Sequence, residues 1–231
     1  MVDRISAFKS LADLFDKHGH KLYLVGGTVR DYLLNEPLND MDAVTDATPI
    51  EIVQFLPNVD TAFAHLGSLK YKDENGVKFD ITTLREESAY LDSRHPSQIT
   101  FVKDLAIDYK RRDFTINAMY MDSNLNIIDY CNGQKDLANR ILRMVGDPDK
   151  RLKEDPLRIL RAIRFYLVFN LEFDKKLKEA MTDRFYLLNN ITDAKIRQEL
   201  DKIGLHDDID VYKKKDIFEQ FDIANLQGVI K

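Results

Sequence analysis

The hydrophobic pattern of the chain changes near residue 147, and this change limits the folds that the sequence can adopt more than any other feature. Before that point, short β-rich segments alternate with short helical ones. Beyond Asp147-Pro148 the apolar residues recur only at helical spacing, and one face consists of Leu157, Leu160, Ile163 and Leu167. The sequence therefore predicts an α+β domain over residues 1–147 and an all-helical part over residues 148–231.

The first part of the chain shows a strand, a glycine turn and a helix in close succession. Residues 21–25 are short and β-rich and end at Gly26-Gly27, and residues 28–34 have a helical pattern. Residues 40–44 then predict a second strand. A glycine turn therefore connects the first strand to a helix.

Capping and turn signals place further elements. Thr48-Pro49-Ile50-Glu51 is a capping box with proline at the first helical position, so a helix is expected to bury Ile52, Val53, Phe55 and Leu56. Asn75-Gly76 lies between residues 69–72 and 77–84 and predicts a β-hairpin. Residues 85–110 are polar and predict a long loop with one short strand at residues 99–102.

Composition excludes several classes of function. The formal net charge is -5, from 34 basic and 39 acidic residues, so any polyanion has to be bound by a local basic surface. The single cysteine, Cys131, has no internal disulfide partner, and the scattered histidines do not form a zinc motif. No apolar run has the length of a membrane span, and the N-terminus does not resemble a signal peptide. We therefore expect a cytoplasmic protein with no membrane partner.

Asn39-Asp40-Met41-Asp42 places two carboxylates two residues apart. On a strand both side chains point to the same face. Two close carboxylates repel unless a cation lies between them, and Mg²⁺ is commonly held by one or two carboxylates together with substrate phosphates. The pair predicts a magnesium site, although a solvated turn is the alternative for an isolated Asp-x-Asp.

Gly26-Gly27 is followed by a helix that begins near Thr28 and carries Arg30. Glycines let backbone N–H groups approach phosphate oxygens, and a guanidinium forms a two-pronged contact with phosphate. The segment therefore predicts a phosphate site, with a plain glycine turn and a surface arginine as the alternative. Its spacing matches neither the dinucleotide fingerprint nor the Walker loop.

Four blocks of the sequence occur in a defined order: LYLVGGTVRD at 22–31, NDMD at 39–42 with TDATP at 45–49, RRDFTINA at 111–118, and EDPLR at 154–158, which continues to residue 165. Together they resemble the signature of the class II tRNA nucleotidyltransferase and bacterial poly(A) polymerase family. This resemblance implies a polymerase-β-like nucleotidyltransferase head with a mixed sheet, followed by a helical neck and a short or truncated body.

The resemblance also implies site residues in the head. Asp40 and Asp42 would bind two catalytic Mg²⁺ ions, and Asp80, on the polar face of a neighbouring strand, could be a third carboxylate. The nucleotide would be bound by Gly26, Gly27, Arg30, Arg111, Arg112 and Asp113. Arg112 resembles a triphosphate contact and Asp113 an acceptor for the ribose 2′-hydroxyl, although from the residues alone Asp113 is more typical of a helix cap.

The last block suggests how the base is chosen. If Asp155 and Arg158 share a helix, they are three residues apart and lie on one face, presenting an acceptor beside several donors. Cytosine and adenine both show an amino donor next to a ring-nitrogen acceptor, so this pair could select them without a template. The alternative is an ordinary salt bridge within a helix. Arg161 and Arg164 are further candidate contacts, Arg164 the weaker because it falls about half a turn away.

The expected function is template-independent addition of CMP and AMP from CTP and ATP to the 3′ acceptor end of tRNA, with release of pyrophosphate. Alternatives are a poly(A) polymerase, an enzyme that adds only CC or only A, and a non-catalytic nucleotide-binding or interaction module. The segment with Tyr90, Asp92, Arg94, His95 and Pro96 favours complete CCA addition. The chain is shorter than the resemblance implies, which fits either a truncated form or a minimal member; oligomeric state is open.

Overall fold

The computed structural model describes residues 3–39, 41–90, 96–206 and 208–223. The chain divides into two compact units. The first unit comprises residues 1–89 and 96–134, and the second comprises residues 90–95 and 135–231. Among the described residues, no helix has an apolar stretch long enough to cross a bilayer.

The first unit is built on a six-stranded mixed sheet, whose strands are β1 (Leu22–Val25), β2 (Met41–Thr45), β3 (Ser68–Lys72), β4 (Lys78–Thr83), β7 (Met119–Met121) and β8 (Ile127–Asp129). Across the sheet they follow the order β3-β4-β2-β1-β7-β8. Strands β2 and β4 are parallel, and the other neighbouring pairs are antiparallel. The α+β class with a mixed sheet, expected from the sequence, is confirmed.

Three helices in this unit follow the local signals closely. They are α1 (Arg4–Lys17), α2 (Gly27–Leu33) and α3 (Pro49–Phe55). The capping box at the start of α3 is complete, because Thr48 and Glu51 exchange hydrogen bonds. Ile52 and Leu56 are buried as expected, whereas Val53 is 45% exposed, so the expectation that it points inward was wrong. Ile52 and Leu56 are four residues apart and share a face, whereas Val53 is rotated by about 100° from Ile52 and points away from it.

The hairpin signal at Asn75-Gly76 is confirmed, because β3 and β4 pair in antiparallel register from Ser68↔Thr82 to Lys72↔Lys78. Residues 85–110 differ from the predicted long loop, although the short strand expected at residues 99–102 is present as part of a longer strand. They contain a two-stranded sheet of β5 (Arg85–Tyr90) and β6 (Pro96–Phe101), followed by the short helix α4 (Leu105–Asp108). The polar sequence of β5 lacks the apolar alternation of a half-buried strand, so its pattern gave no strand signal.

The second unit consists mainly of helices. After α5 (Gly133–Ala138), at the division between the units, come α6 (Pro148–Glu154), α7 (Leu157–Val168), α8 (Lys175–Arg184), α9 (Asp193–Gly204) and α10 (Val211–Gln220). The predicted apolar face of α7 is buried: Leu157, Leu160, Ile163 and Leu167 are each at most 4% exposed. Helix α7 packs against α9 and α6 against α8.

This unit is not wholly helical, which corrects one expectation. The short strands β9 (Ile141–Leu142) and β10 (Glu172–Phe173) pair in parallel. Two-residue strands show no periodicity that a sequence pattern could reveal. Their pairing, with the ion pair between Arg143 and Asp174, ties residues 141–147 to the helices that follow. The two compact units divide after Gln134. The domain boundary expected at residue 147 stays a prediction.

Candidate active site

The site in the first unit begins with two aspartates on neighbouring parallel strands. Asp42 on β2 is the register partner of Asp80 on β4. Partners on adjacent strands point to the same face of a sheet, where the strands are about 4.8 Å apart. Asp42 is exposed and the side chain of Asp80 is 45% exposed. Asp40 lies outside the described residues, so its pairing with Asp42 stays a prediction.

The backbone of Asp42 is fixed by the start of α2. Its N–H donates to the hydroxyl of Thr28 over 2.9 Å, and Thr28 is buried. Strand β2 is thereby attached to the turn that follows β1. Sequence reasoning gave Thr28 no role of its own, although it belongs to the first motif block.

Gly26 lies where the carboxylate and an arginine converge. It has φ 68° and caps the N-terminus of α2. A Cβ atom at this position would be 3.8 Å from Asp42 Oδ2 and 3.9 Å from Arg112 Nη1. The positive φ favours glycine, because an L side chain rarely adopts it. Gly26, Asp42 and Arg112 therefore lie close together, and their roles toward a metal and a nucleotide stay predictions.

Arg30 is placed differently from the sequence expectation of an open phosphate fork. Its side chain is 9% exposed and forms an ion pair with Asp31 over 2.7 Å. Its Nη1 donates to Asn117 Oδ1 over 2.7 Å. These contacts tie α2 to the segment after Arg112, so Arg30 contributes to the architecture of the site. A direct phosphate contact by Arg30 stays a prediction, as does one by the backbone of Gly27.

A buried aspartate that sequence reasoning missed holds both arginines of the RRD block. The side chain of Asp108 is fully buried. It accepts from Arg111 Nε over 2.8 Å, from Arg112 Nη2 over 3.0 Å and from the Tyr120 hydroxyl over 2.8 Å. The Arg112 guanidinium also lies 5.1 Å from the centroid of the Tyr120 ring. The available signal was an acidic residue close before two arginines, within a segment that was predicted to be loop.

The network changes the ionisation of its members. Burial alone raises the pKa of Asp108, but the charges of Arg112 and Arg111 outweigh it and lower the pKa to about 2. Burial raises the pKa of the Tyr120 hydroxyl. At neutral pH Asp108 is therefore an anion and Tyr120 is neutral. The carboxylate holds the two guanidiniums in place by charge-assisted hydrogen bonds.

Asp113 does not cap a helix, which corrects the alternative for this residue. The short 3₁₀ turn Thr115–Asn117 begins after Phe114 and has no side-chain cap. Asp113 Oδ1 instead accepts from the backbone N–H of Phe114 over 2.7 Å and from the side-chain amide of Asn117 over 3.4 Å. Asn117 therefore joins Arg30 to Asp113.

In the second unit, Asp155 is not part of a helix. It is the C-cap of α6, with φ -147° and ψ 97°, and Pro156 follows it. Proline disfavours helical backbone in the residue before it, so the expected shared helical face of Asp155 and Arg158 was wrong. Arg158 is 6% exposed, and its Nη1 donates to the backbone oxygen of Arg151 over 2.6 Å and to Glu154 over 3.4 Å.

The two later arginines of α7 contact apolar and acidic neighbours. The Arg161 and Arg164 guanidiniums lie 5.5 Å and 4.5 Å from the Phe165 ring centroid. Arg164 Nε also donates to Glu199 on α9 over 3.1 Å. Their predicted nucleotide contacts are untested, but Arg164 has a clear role in joining α7 to α9.

Comparison with known proteins identifies the family to which this chain belongs. The family model described as "Poly A polymerase head domain" matches residues 22–143, more than half of the chain. The chain therefore belongs to this family, as its motif blocks indicated.

Two relatives make the comparison more specific. The CCA-adding enzyme of Lactobacillus helveticus (strain DPC 4571) is 45% identical over 204 residues, covering 87% of this chain and 50% of that protein. The CCA-adding enzyme of Staphylococcus epidermidis (strain ATCC 12228 / FDA PCI 1200) is 38% identical over 195 residues, covering 84% and 48%. The chain thus spans about half the length of these curated relatives.

Solved structures share the fold over nearly the whole chain. The Bacillus stearothermophilus CCA-adding enzyme in complex with CTP has a TM-score of 0.79 and 31% identity, covering 88% of this chain and 49% of that one. The Thermotoga maritima CCA-adding enzyme complexed with tRNA has a TM-score of 0.78 and 26% identity, covering 98% and 53%. The predicted polymerase head fold is confirmed.

Proposed function

We propose that this chain carries the centre of a nucleotidyltransferase that adds CMP and AMP from CTP and ATP to the 3′ end of tRNA, releasing pyrophosphate. The observation that carries the proposal is the register pair of Asp42 and Asp80 beside Gly26 and Arg112. Relatives and structural neighbours named CCA-adding enzyme support it. We also propose that the protein acts in the cytoplasm.

The carboxylates fit a divalent cation. Asp42 and Asp80 offer hard oxygen donors from adjacent strands, and Mg²⁺ is usually held by one or two carboxylates together with substrate phosphates. Among the described residues no group of three or more His, Cys, Asp or Glu forms a metal cluster, and Asp40 is proposed as a further ligand. When bound, Mg²⁺ would help to activate the attacking 3′-hydroxyl and neutralise charge on the triphosphate. We propose that the site binds two Mg²⁺ ions.

The arginines would hold the nucleotide. Arg112, positioned by Asp108 and Tyr120, brings Nη1 close to Gly26, where a phosphate oxygen could also meet backbone N–H groups. Asp113 would accept the ribose 2′-hydroxyl and so favour ribonucleotides. Arg111 pairs with both Asp108 and Glu87 and supports this arrangement from one side.

Base selection is proposed for Asp155 and Arg158. Asp155 lies in extended backbone between two helices, and its Oδ1 accepts from the backbone N–H of Leu157 over 3.1 Å. A carboxylate accepts several hydrogen bonds, so it can also accept from the amino group of a base. The Arg158 guanidinium donates through Nη1 to the backbone oxygen of Arg151 and to the Glu154 carboxylate. Asp155→Ala should relax the choice of CTP and ATP over UTP and GTP; unchanged selectivity would place base reading elsewhere.

An extension assay tests the proposal directly. The protein is incubated with CTP, ATP, Mg²⁺ and a tRNA transcript that lacks its terminal CCA, and the products are resolved at single-nucleotide resolution. We expect addition of three nucleotides and then arrest. A long A tail would indicate a poly(A) polymerase, and CC or A alone a partial enzyme. Nucleotide binding without any extension would indicate a non-catalytic module.

A further inference from the structure

One face of the sheet carries three lysines beside the paired carboxylates. Lys70 and Lys72 lie on β3 and Lys78 lies on β4. Strand alternation places them on the same face as Asp80 and Asp42. The register puts Lys72 opposite Lys78, Lys70 opposite Asp80, and Asp80 beside Asp42. We call Lys70, Lys72 and Lys78 the lysine track; it runs from the edge of the sheet to the carboxylates.

Two of these lysines, Lys72 and Lys78, lie directly opposite each other on β3 and β4. Lys72 and Lys78 are both exposed, and within the described residues neither forms an ion pair. Like charges directly opposite each other destabilise a strand pair. Lysines often protect an edge strand, which could account for β3, but Lys78 lies on β4, which is paired on both sides. Their placement therefore fits the binding of an external anion.

The lysine track and Arg112 lie on opposite sides of Asp42. Arg112 Nη1 and Asp42 Oδ2 both lie close to Gly26, at the end of β1, whereas the lysines follow on β4 and β3. Strand β2, which carries Asp42, separates β1 from β4. The proposed reaction brings two polyanions together at this strand, namely a nucleoside triphosphate and an RNA 3′ end. Because Arg112 is proposed to bind the triphosphate on one side of Asp42, the lysines on the other side are in position to bind the RNA.

We propose that the lysine track binds the phosphate backbone of the single-stranded RNA end that supplies the attacking hydroxyl. This inference rests on the proposed function and adds to it the surface on which the second substrate lies. The chain is acidic overall, with a net charge of -5, so such a local basic row matters for binding RNA. The nearby Asp73 is occupied by the turn, where its Oδ1 accepts from the backbone N–H groups of Asn75 and Val77.

The test replaces Lys72 and Lys78, the two lysines of the track that, among the described residues, form no ion pair with Asp42 or Asp80. The double variant Lys72→Gln/Lys78→Gln is compared with the unchanged protein for binding of a fluorescent tRNA transcript lacking CCA. We expect the RNA dissociation constant to rise about tenfold at low salt. The slope of its logarithm against that of salt concentration should fall by about 1.4, because two single-strand phosphate contacts are lost. The KM for CTP should stay unchanged.

Two further variants serve as controls. Lys9→Gln/Lys17→Gln removes the same charge from exposed positions on α1, which faces Tyr71 on the other side of β3; it should bind RNA normally. Lys72→Arg/Lys78→Arg keeps the charge and should restore binding. Normal RNA binding by the glutamine variant, or a raised KM for CTP with normal RNA binding, would overturn the inference.

The binding assay also separates this inference from the proposed function. If the unchanged protein binds the transcript but does not extend it, the proposed function fails. A loss of RNA binding in the glutamine variant would then still support the lysine track. If extension is normal in both proteins and the RNA dissociation constants agree, the proposed function stands and the track is refuted.

Discussion

Both compact units contain motif arginines that are paired with carboxylates of their own unit, but the pairing differs in kind. In the first unit, Arg111 and Arg112 share the fully buried Asp108. In the second unit, Arg164 pairs with Glu199, whose side chain is 9% exposed, across two packed helices. Arginines that are predicted as ligand contacts can therefore have structural roles as well.

The surroundings of each pair show what the difference means. The Asp108 network extends through Arg112 to Gly26 and Asp42, so a buried carboxylate orients a cation within the candidate site. Glu199 accepts from both Arg164 and Lys202, and its bond with Arg164 joins α7 to α9. A motif assigns a residue type to a function, whereas the partner and its burial determine how the side chain is used.

The largest effect is expected at the carboxylates of the first unit. Asp42→Asn removes a proposed metal ligand, so nucleotide incorporation should fall by about 10³-fold or more, while CTP still binds. Single-turnover extension and equilibrium CTP binding measure the two effects. Asp13→Asn, at an exposed position of α1, is the matched control and should retain full activity. Full activity of Asp42→Asn would remove the chemical centre from this unit.

Asp108→Asn tests whether the buried network positions the arginines. The change leaves two guanidiniums without their shared anion, and loss of one partner of a buried ion pair costs about 3 kcal/mol in the free energy of unfolding. We expect this loss in urea denaturation, together with a KM for CTP that rises more than kcat falls. The corresponding change in the second unit, Glu199→Gln, should cost less. An equal cost would erase the contrast between the units.

The acid stability of the first unit should report on the same aspartate. The pKa of Asp108 falls from 3.8 to about 2 on folding, because the arginines outweigh the cost of burial. The resulting stability, about 2 kcal/mol, is present above pH 3.8 and is lost as the pH falls toward 2. Urea denaturation across this range measures it. Asp108→Asn should lack this component; an identical pH dependence in both proteins would contradict the assignment.

Much of the fold was predictable because local signals agreed with tertiary packing. Asn75-Gly76 fixed a hairpin, and Thr48 with Glu51 fixed the start of α3. Strand β5 was not predictable, since its polar sequence lacks the alternation of apolar residues that indicates a half-buried strand. The register that places Asp80 beside Asp42 is a long-range pairing, so sequence could only suggest that the two share a site.

The roles of individual site residues were harder to predict. Asp108 gains its importance from burial next to Tyr120, which no local pattern reports. Asp155 and Arg158 do not share a helix, because α6 ends at Glu154, before Asp155. Pro156 disfavours helical backbone at Asp155. The proline in the sequence already indicated a helix end at this point, but the three-residue spacing of Asp155 and Arg158 favoured the wrong interpretation.

The smallest predicted effect concerns the pair that joins α7 to α9. Burial raises the pKa of Glu199, but the hydrogen bond from Lys202 and the charge of Arg164 lower it overall, so the carboxylate is charged at neutral pH. A double-mutant cycle of Arg164→Gln and Glu199→Gln should give a coupling of about 1 kcal/mol in the free energy of unfolding. The exposed pair of Lys175 and Glu179, 3.9 Å apart, is the control and should couple less.

The same variants distinguish packing from base recognition. If Arg164 acts through helix packing, Arg164→Gln should lower stability and leave the preference for CTP over UTP unchanged. Competition between the two nucleotides in the extension assay measures that preference. A relaxed preference at unchanged stability would instead make Arg164 a contact for the base, and the arginines of the two units would then serve the same purpose.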